Sequence, residues 1–270
     1  MMNLFFSNHP ELGYVFIGLL SLMIGSFLNV VIYRLPLTLI SNDPHLNLCF
    51  PRSFCPHCKQ QIPAWHNIPL LSYLILRGKC HACRESISYQ YPLVELITVL
   101  SSLYICVAFG FTPLLFALLP LTWILICLTV IDLQHQLLPD SLTLGLLWLG
   151  LICNAVYPLI SLQNAVLSAA GGYLFLWFFM KLFYIVTGKI GMGHGDFKLF
   201  AALGAWLGWT QLPVILMISS IVGSIVGLIY LKTQHKTKET PLPFGPFLCI
   251  SGFISLLYGD KILDVYLALI

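Results

Sequence analysis

Charge is what this chain has least of. Asp, Glu, Lys and Arg together make up 9% of its 270 residues, against 59% hydrophobic residues and a mean hydropathy of +0.90. No charged residue occurs from Leu12 to Tyr33, Leu96 to Ile131, Ser141 to Met180, Leu199 to Leu231 or Thr240 to Gly259. That composition excludes an ordinary soluble domain and specifies an all-α polytopic membrane protein. The first ten residues carry no lysine or arginine, so they do not read as the start of a cleaved secretory signal. There is no βαβ pattern and no glycine-rich dinucleotide fingerprint, which leaves no soluble Rossmann-type unit to hold a cofactor. The halves share no internal similarity of the kind an inverted-repeat transporter would have.

A spanning helix needs about 20 apolar residues, so the three longest runs hold two helices each. Turn and helix-stopping residues mark the breaks, at Gly110-Phe111-Thr112-Pro113, between Tyr157-Pro158 and Gln163-Asn164, and from Gly208 to Pro213. This predicts about eight transmembrane helices, near 12–33, 93–109, 113–131, 141–159, 164–186, 197–208, 212–231 and 245–258. The sixth is short for a full span, which fits a helix that is tilted, broken or enclosed by its neighbours. The expected organisation is an N-terminal transmembrane helix over 1–34, a cytoplasmic zinc-binding loop over 35–90, and a multi-helix membrane domain over 91–270.

Lysine and arginine set the orientation. Arg34, Arg52, Lys59, Arg77, Lys79 and Arg84 follow the first helix, and Lys181, Lys189, Lys198, Lys232, Lys236 and Lys238 fall on the same side, while Lys261 lies outside the pattern. The N-terminus is then outside, and the formal net charge of +3 reflects this bias rather than a nucleic-acid surface.

The first loop contains Cys55-Pro56-His57-Cys58 and Cys80-His81-Ala82-Cys83, two C-x-x-C pairs separated by 21 residues. Two such pairs supply four thiolates to one tetrahedral zinc, and a filled four-sulfur shell makes that zinc structural. The competing reading is a redox dithiol, since a proline and a histidine between cysteines favour the thiolate, but it leaves the second pair unexplained. His57 and His81 read as spacers and Cys49 as a bystander. Cys106, Cys127, Cys153 and Cys249 read as small hydrophobes within helices.

Two aspartates end long uncharged stretches: Asp132 in Ile131-Asp132-Leu133 and Asp196 in Gly193-His194-Gly195-Asp196. An ionisable group at membrane depth is costly and is kept mainly for chemistry or transport. Paired carboxylates hydrolyse a peptide bond when one activates water and the other is protonated. Asp196 reads either as such a group or as a helix N-cap, and Asp140 in Leu138-Pro139-Asp140-Ser141 reads as a cap. Asp132 follows its helix, where a negative charge opposes the macrodipole, and has no capping role. Gly193 and Gly195 let the backbone approach the second carboxylate, Lys198 biases the pair or snorkels to headgroups, and Glu95 either receives substrate, pairs with a basic residue or favours a helix start. His194 and His135 flank the pair, and Asn29 in the first span can link helices by hydrogen bonding.

The ordered set Gly25-Ser26-Phe27-Leu28-Asn29 through Arg34-Leu35-Pro36, the double C-x-x-C, Tyr91-Pro92-Leu93-Val94-Glu95, Ile131-Asp132 to Leu138-Pro139-Asp140, Gly193 to Lys198, and Pro243-Phe244-Gly245-Pro246 resembles the type IV prepilin peptidases, in their bifunctional tetra-cysteine form. The resemblance implies an inner-membrane enzyme with Asp132 and Asp196 as its aspartyl protease residues. Such enzymes cut the basic leader from prepilins of type IV pili and pseudopilins of type II secretion, after a glycine at the cytoplasmic face. They then methylate the new N-terminal residue with S-adenosyl-L-methionine. No cofactor-binding residue is assigned by sequence, and the region between the zinc loop and the helices, near Glu95 or Gly78-Lys79-Cys80, is the expected place. The partners implied are prepilins, pseudopilins and membrane lipid. The alternatives are an intramembrane aspartyl protease without methyltransferase activity, an ion-coupled membrane transporter, and a non-enzymatic assembly factor.

Overall fold

The structure is a computed structural model that describes residues 9–41, 47, 48, 50, 52–189, 191–234 and 242–268. Cys49, Lys236 and Lys238 lie outside the described residues. The helices are α1 (Pro10–Ser41), α2 (Leu71–Ile75), α3 (Gln90–Phe109), α4 (Leu115–His135), α5 (Asp140–Val156), α6 (Leu162–Thr187), α7 (His194–Leu207), α8 (Gln211–Gln234) and α9 (Gly245–Ala268), with a 3₁₀ turn at Ala64–Asn67. No strand forms among the described residues, which carry only the isolated bridges Phe54–Gln61 and Lys79–Ser86. Among them, six helices are long and apolar enough to cross a membrane, and α5 is a shorter apolar helix. Outward-facing Leu174, Phe178, Ile185 and Val186 on α6 are exposed, as a helix facing lipid requires. The protein is an all-α, multi-pass membrane protein.

A helix occupies each expected span, and the breaks fall at the expected turns. Gly110 and Gly208 close α3 and α7 with φ of 65° and 82°, and the Ser161 side chain accepts from the Asn164 N–H to start α6. Helices α1 and α9 run furthest beyond their charge-free stretches. Helix α1 continues through Pro36 to Ser41, where the Thr38 hydroxyl donates to the Leu35 carbonyl at 2.8 Å. Helix α9 continues past Asp260 because Gln211 on α8 ties it down, donating to Asp260 Oδ1 at 2.7 Å and accepting from the Ser255 hydroxyl at 2.9 Å. A charged residue that finds a partner need not end a helix.

The chain divides into two compact units after Cys127, within α4. In the first, α1 lies against α3, with Asn29 donating to the Tyr91 carbonyl at 3.1 Å and Gly25 against Glu95, where a Cβ would come within 2.9 Å of the Glu95 Cα. Trp123 of α4 donates to the Ser102 hydroxyl of α3 at 2.9 Å.

In the second unit, the short helix α7 is the centre, packed by α5, α6, α8 and α9. All of its residues from Leu199 to Leu207 are buried. Trp206 donates to the Leu146 carbonyl at 2.9 Å and sits against Gly150, and Asn154 donates to the Ala205 carbonyl at 2.8 Å. Gly204 lets α7 meet α6 backbone to backbone, since a Cβ there would lie 2.7 Å from the Ser168 carbonyl oxygen. Such small-residue contacts substitute for a hydrophobic drive that lipid does not supply. Enclosure, one of the alternatives for the sixth span, is what the structure has.

Candidate functional site

Both aspartates lie in the second unit, Asp132 on the last turn of α4 and Asp196 on the first turn of α7. They are 5% and 7% exposed, nearly as buried as core leucines. Asp196 Oδ2 accepts from the Gly193 N–H at 3.2 Å, while its Oδ1 and the Oδ2 of Asp132 are buried with no partner among the described residues. Each carboxylate therefore keeps one oxygen for something else. The two are close enough for the charge of Asp132 to act on Asp196, and the Cys249 thiol of α9 lies within electrostatic reach of both.

Glycines frame this pair by their lack of a side chain. A Cβ on Gly245 would sit 2.7 Å from Asp132 Oδ2 and 3.1 Å from the Leu138 methyls, and one on Gly195 would sit 2.7 Å from the Leu138 Cβ. Leu138 is thus wedged between the start of α9 and the start of α7. The turn carrying it leaves α4 through Gln136, at φ 52°, whose N–H donates to the Asp132 carbonyl at 2.9 Å.

Neither Asp196 nor Asp140 occupies an N-cap. Gly193 occupies the N-cap of α7, so Asp196 stands three residues further on and reaches back to the cap's N–H. Glycine has no side chain to complete a reciprocal capping box, so only that one bond forms. Pro139 occupies the N-cap of α5 with no side-chain bond, and Asp140, one residue inside, is taken up by Lys198 at 2.6 and 2.7 Å. Lys198 therefore neutralises Asp140, leaving the Asp132–Asp196 pair without a cation among the described residues. His194 and His135 are exposed, and His194 packs edge-on against Phe197 with ring centroids 5.4 Å apart.

In the first unit, the sulfurs of Cys55, Cys58, Cys80 and Cys83 lie within 4.8 Å of one another. Cys55 and Cys83 are 3.9 Å apart, close to the edge of about 3.8 Å in a tetrahedron of thiolates around zinc. The two pairs are one motif repeated. In each, the residue after the second cysteine takes positive φ, Lys59 at 59° and Arg84 at 61°. That residue's N–H donates to the first cysteine's carbonyl, at 2.9 Å for Cys55 and 3.0 Å for Cys80. Backbone N–H groups of Cys83 and Ala82 turned toward the Cys80 sulfur bring its thiol down, while burial and the neighbouring thiols push Cys83 up, so the cluster holds its protons jointly until a cation replaces them. The donor set fits a tetrahedral metal ion. The repeat is visible in the sequence as Phe54-Cys55-x-x-Cys58-Lys59 beside Lys79-Cys80-x-x-Cys83-Arg84, a likeness that spacing of the cysteines alone does not exploit.

Between these knuckles and the facing parts of α1 and α3 lies a cavity of about 360 Å³, within the range of ligand pockets. Arg34, His66, His81, Tyr91, Asn29 and Glu95 are among its lining residues. Glu95 pairs with no basic residue among the described ones; its Oε2 accepts from the Leu70 N–H at 2.8 Å. The cavity carries, with no partner among the described residues, Asn29 Oδ1 and His66 Nδ1, together with a buried cation in Arg34 and the rings of His66 and His81, tilted at 37° with centroids 4.6 Å apart. This set suits a ligand that carries both charges and an aromatic part.

Two family models match the chain: the bacterial peptidase A24 N-terminal domain over residues 19–109 and the type IV leader peptidase family over residues 119–228. A Legionella pneumophila protein named prepilin leader peptidase/N-methyltransferase is 56% identical over 99% of both chains. Proteins of the same name from Stutzerimonas stutzeri and Pseudomonas aeruginosa are 50% and 48% identical, each over 97% of this chain and 96% of their own. No solved structure gives a significant match.

Proposed function

The chain belongs to the type IV leader peptidase family, and from that premise we propose that it removes the leader of prepilins and pseudopilins and then methylates the new amino terminus. Asp132 and Asp196 are the proteolytic pair. One carboxylate, ionised, removes a proton from water, which attacks the carbonyl of the glycine before the cut; the other, protonated, donates to the leaving amine. Either aspartate fits either role. The observation that carries this reading is the two buried carboxylates that share a site and, among the described residues, have no cation and each keep an unbonded oxygen.

Four cysteines hold a structural zinc that organises the first loop. Bound S-adenosylmethionine supplies the methyl group, and the cavity beside the knuckles is where this chain would hold it, with Arg34 toward its carboxylate and the His66–His81 pair toward its adenine. The positive excess in the first loop and at later helix ends supports a cytoplasmic zinc loop and cytoplasmic aspartates in a bacterial inner membrane, with the N-terminus periplasmic. A basic leader then stays in the cytosol while the substrate's apolar segment lies among the helices.

Purified protein, incubated with a prepilin and S-adenosylmethionine and read by mass spectrometry, should yield a peptide shortened after glycine and one methyl heavier. Shortened, unmethylated product would remove the transferase half, and uncut substrate would remove the protease half. The dyad's packing makes a further prediction. Gly245→Ala should lower cleavage at least about tenfold and cost about 1–3 kcal/mol in thermal melts, because the new methyl displaces Leu138 or the Asp132 carboxylate. Unchanged cleavage would show that the carboxylate position is not critical.

A further inference from the structure

Glu95 is a carboxylate in a membrane helix, 7% exposed, with no ion-pair partner among the described residues. Its contacts are neutral donors, the Leu70 N–H and the Ser26 hydroxyl. Asn29 is 4% exposed and has both ends of its amide defined: Nδ2 donates to the carbonyls of Tyr91 and Gly25, so the acceptor Oδ1 points away from them, buried and unbonded. Since Asn29 meets Tyr91 while Gly25 and Ser26 meet Glu95, the two residues stand about one turn apart on the facing sides of α1 and α3. Both line the cavity beside the knuckles. Two buried acceptors with no donor between them are costly until a donor-rich cation arrives.

On the reading that this chain methylates an amine, we propose that Glu95 and Asn29 receive the amino terminus created by cleavage, and that Glu95 takes its proton. An ammonium has three N–H donors and no lone pair; it cannot attack a methyl group until one proton leaves. Transfer of that proton to the Glu95 carboxylate gives a neutral amine and a carboxylic acid. The amine lone pair then forms the N–CH₃ bond as the sulfonium's S–CH₃ bond breaks, leaving a thioether and a secondary ammonium, and Glu95 later returns its proton to water. Arg34, His57, His66, His81, Glu85 and Tyr91 also face the cavity, and none bonds to Glu95. Arg34 donates to the Asn47 carbonyl at 2.9 Å.

Glu95→Gln keeps an oxygen for the Leu70 N–H and removes only the charge. Calorimetric titration of the full-length protein, without methyl donor, should show a cleaved peptide binding about tenfold tighter than its N-acetylated form, and Glu95→Gln should abolish that preference. With donor present, the variant's methylation should fall about tenfold at pH 7, where an α-amine is about one-tenth neutral, and approach that of the unsubstituted protein by pH 9. Equal preference in both proteins, or a methylation loss that does not recover with pH, overturns the proposal. So does loss of S-adenosylmethionine binding with the peptide preference intact, which would assign Glu95 to the donor's own ammonium. If the unsubstituted protein fails to methylate at all, it is the transferase reading that falls.

Discussion

Asp132→Asn and Asp196→Asn are each expected to reduce leader cleavage by on the order of 10²–10⁴-fold, the range that positioned proton transfer contributes. The amide has the carboxylate's shape but neither takes a proton from water nor returns one to a leaving amine. The same substitutions should leave the protein at least as stable. Two carboxylates that repel each other in a buried site, with Lys198 committed to Asp140, are a cost to the fold, and a neutral amide relieves it. Activity and melting temperature in detergent should therefore move apart: cleavage lost, Tm unchanged or raised. A lowered Tm alongside lost cleavage would mean that the aspartates hold the fold together rather than act on substrate. Methylation of a peptide supplied already cut should persist in both variants, since Glu95 and Asn29 belong to the other unit.

Hydrophobic runs are a one-dimensional signal, and the helices followed from them closely. Charge breaks were less faithful guides to helix ends, because Asp260 in α9 is satisfied by Gln211 across to α8, a contact no sequence window contains. The four cysteines and the two aspartates were legible because each type is expensive where it sits. What supports them was not. Leu138 and Gly245 touch the site only because three helix ends converge, and Gly245 stood in the sequence as part of a motif with no role attached. Asp140 reads as a cap by its neighbours, yet its partner Lys198 lies 58 residues away, and only folding reveals that the pair removes a cation from the dyad. Burial of α7 explains its shortness: a helix surrounded by protein need not match the thickness of the bilayer.

Removing the metal should have the second large effect, confined to the first loop. Among the described residues from 52 to 88 only Cys55 and Ser72 are buried, so this segment has almost no apolar core to hold it. A structural zinc site is worth about 10–16 kcal/mol in small zinc-binding peptides, enough to decide whether such a segment folds. Cys58→Ser and Cys83→Ser should each lower bound zinc from one per chain to nearly none and open Arg77, Lys79 and Arg84 to trypsin. Because the knuckles form one wall of the cavity that contains Glu95, methylation should fall at least about tenfold. Cleavage should stay within a few-fold, its aspartates lying in the other unit. Chelation should reproduce the Ser variants, and reductant should do nothing. A redox dithiol reverses that pattern: reductant would alter activity, and the Cys55–Cys58 and Cys80–Cys83 pairs would differ in their response. A shared tetrahedron requires all four cysteines to respond alike, because no three thiolates close the shell.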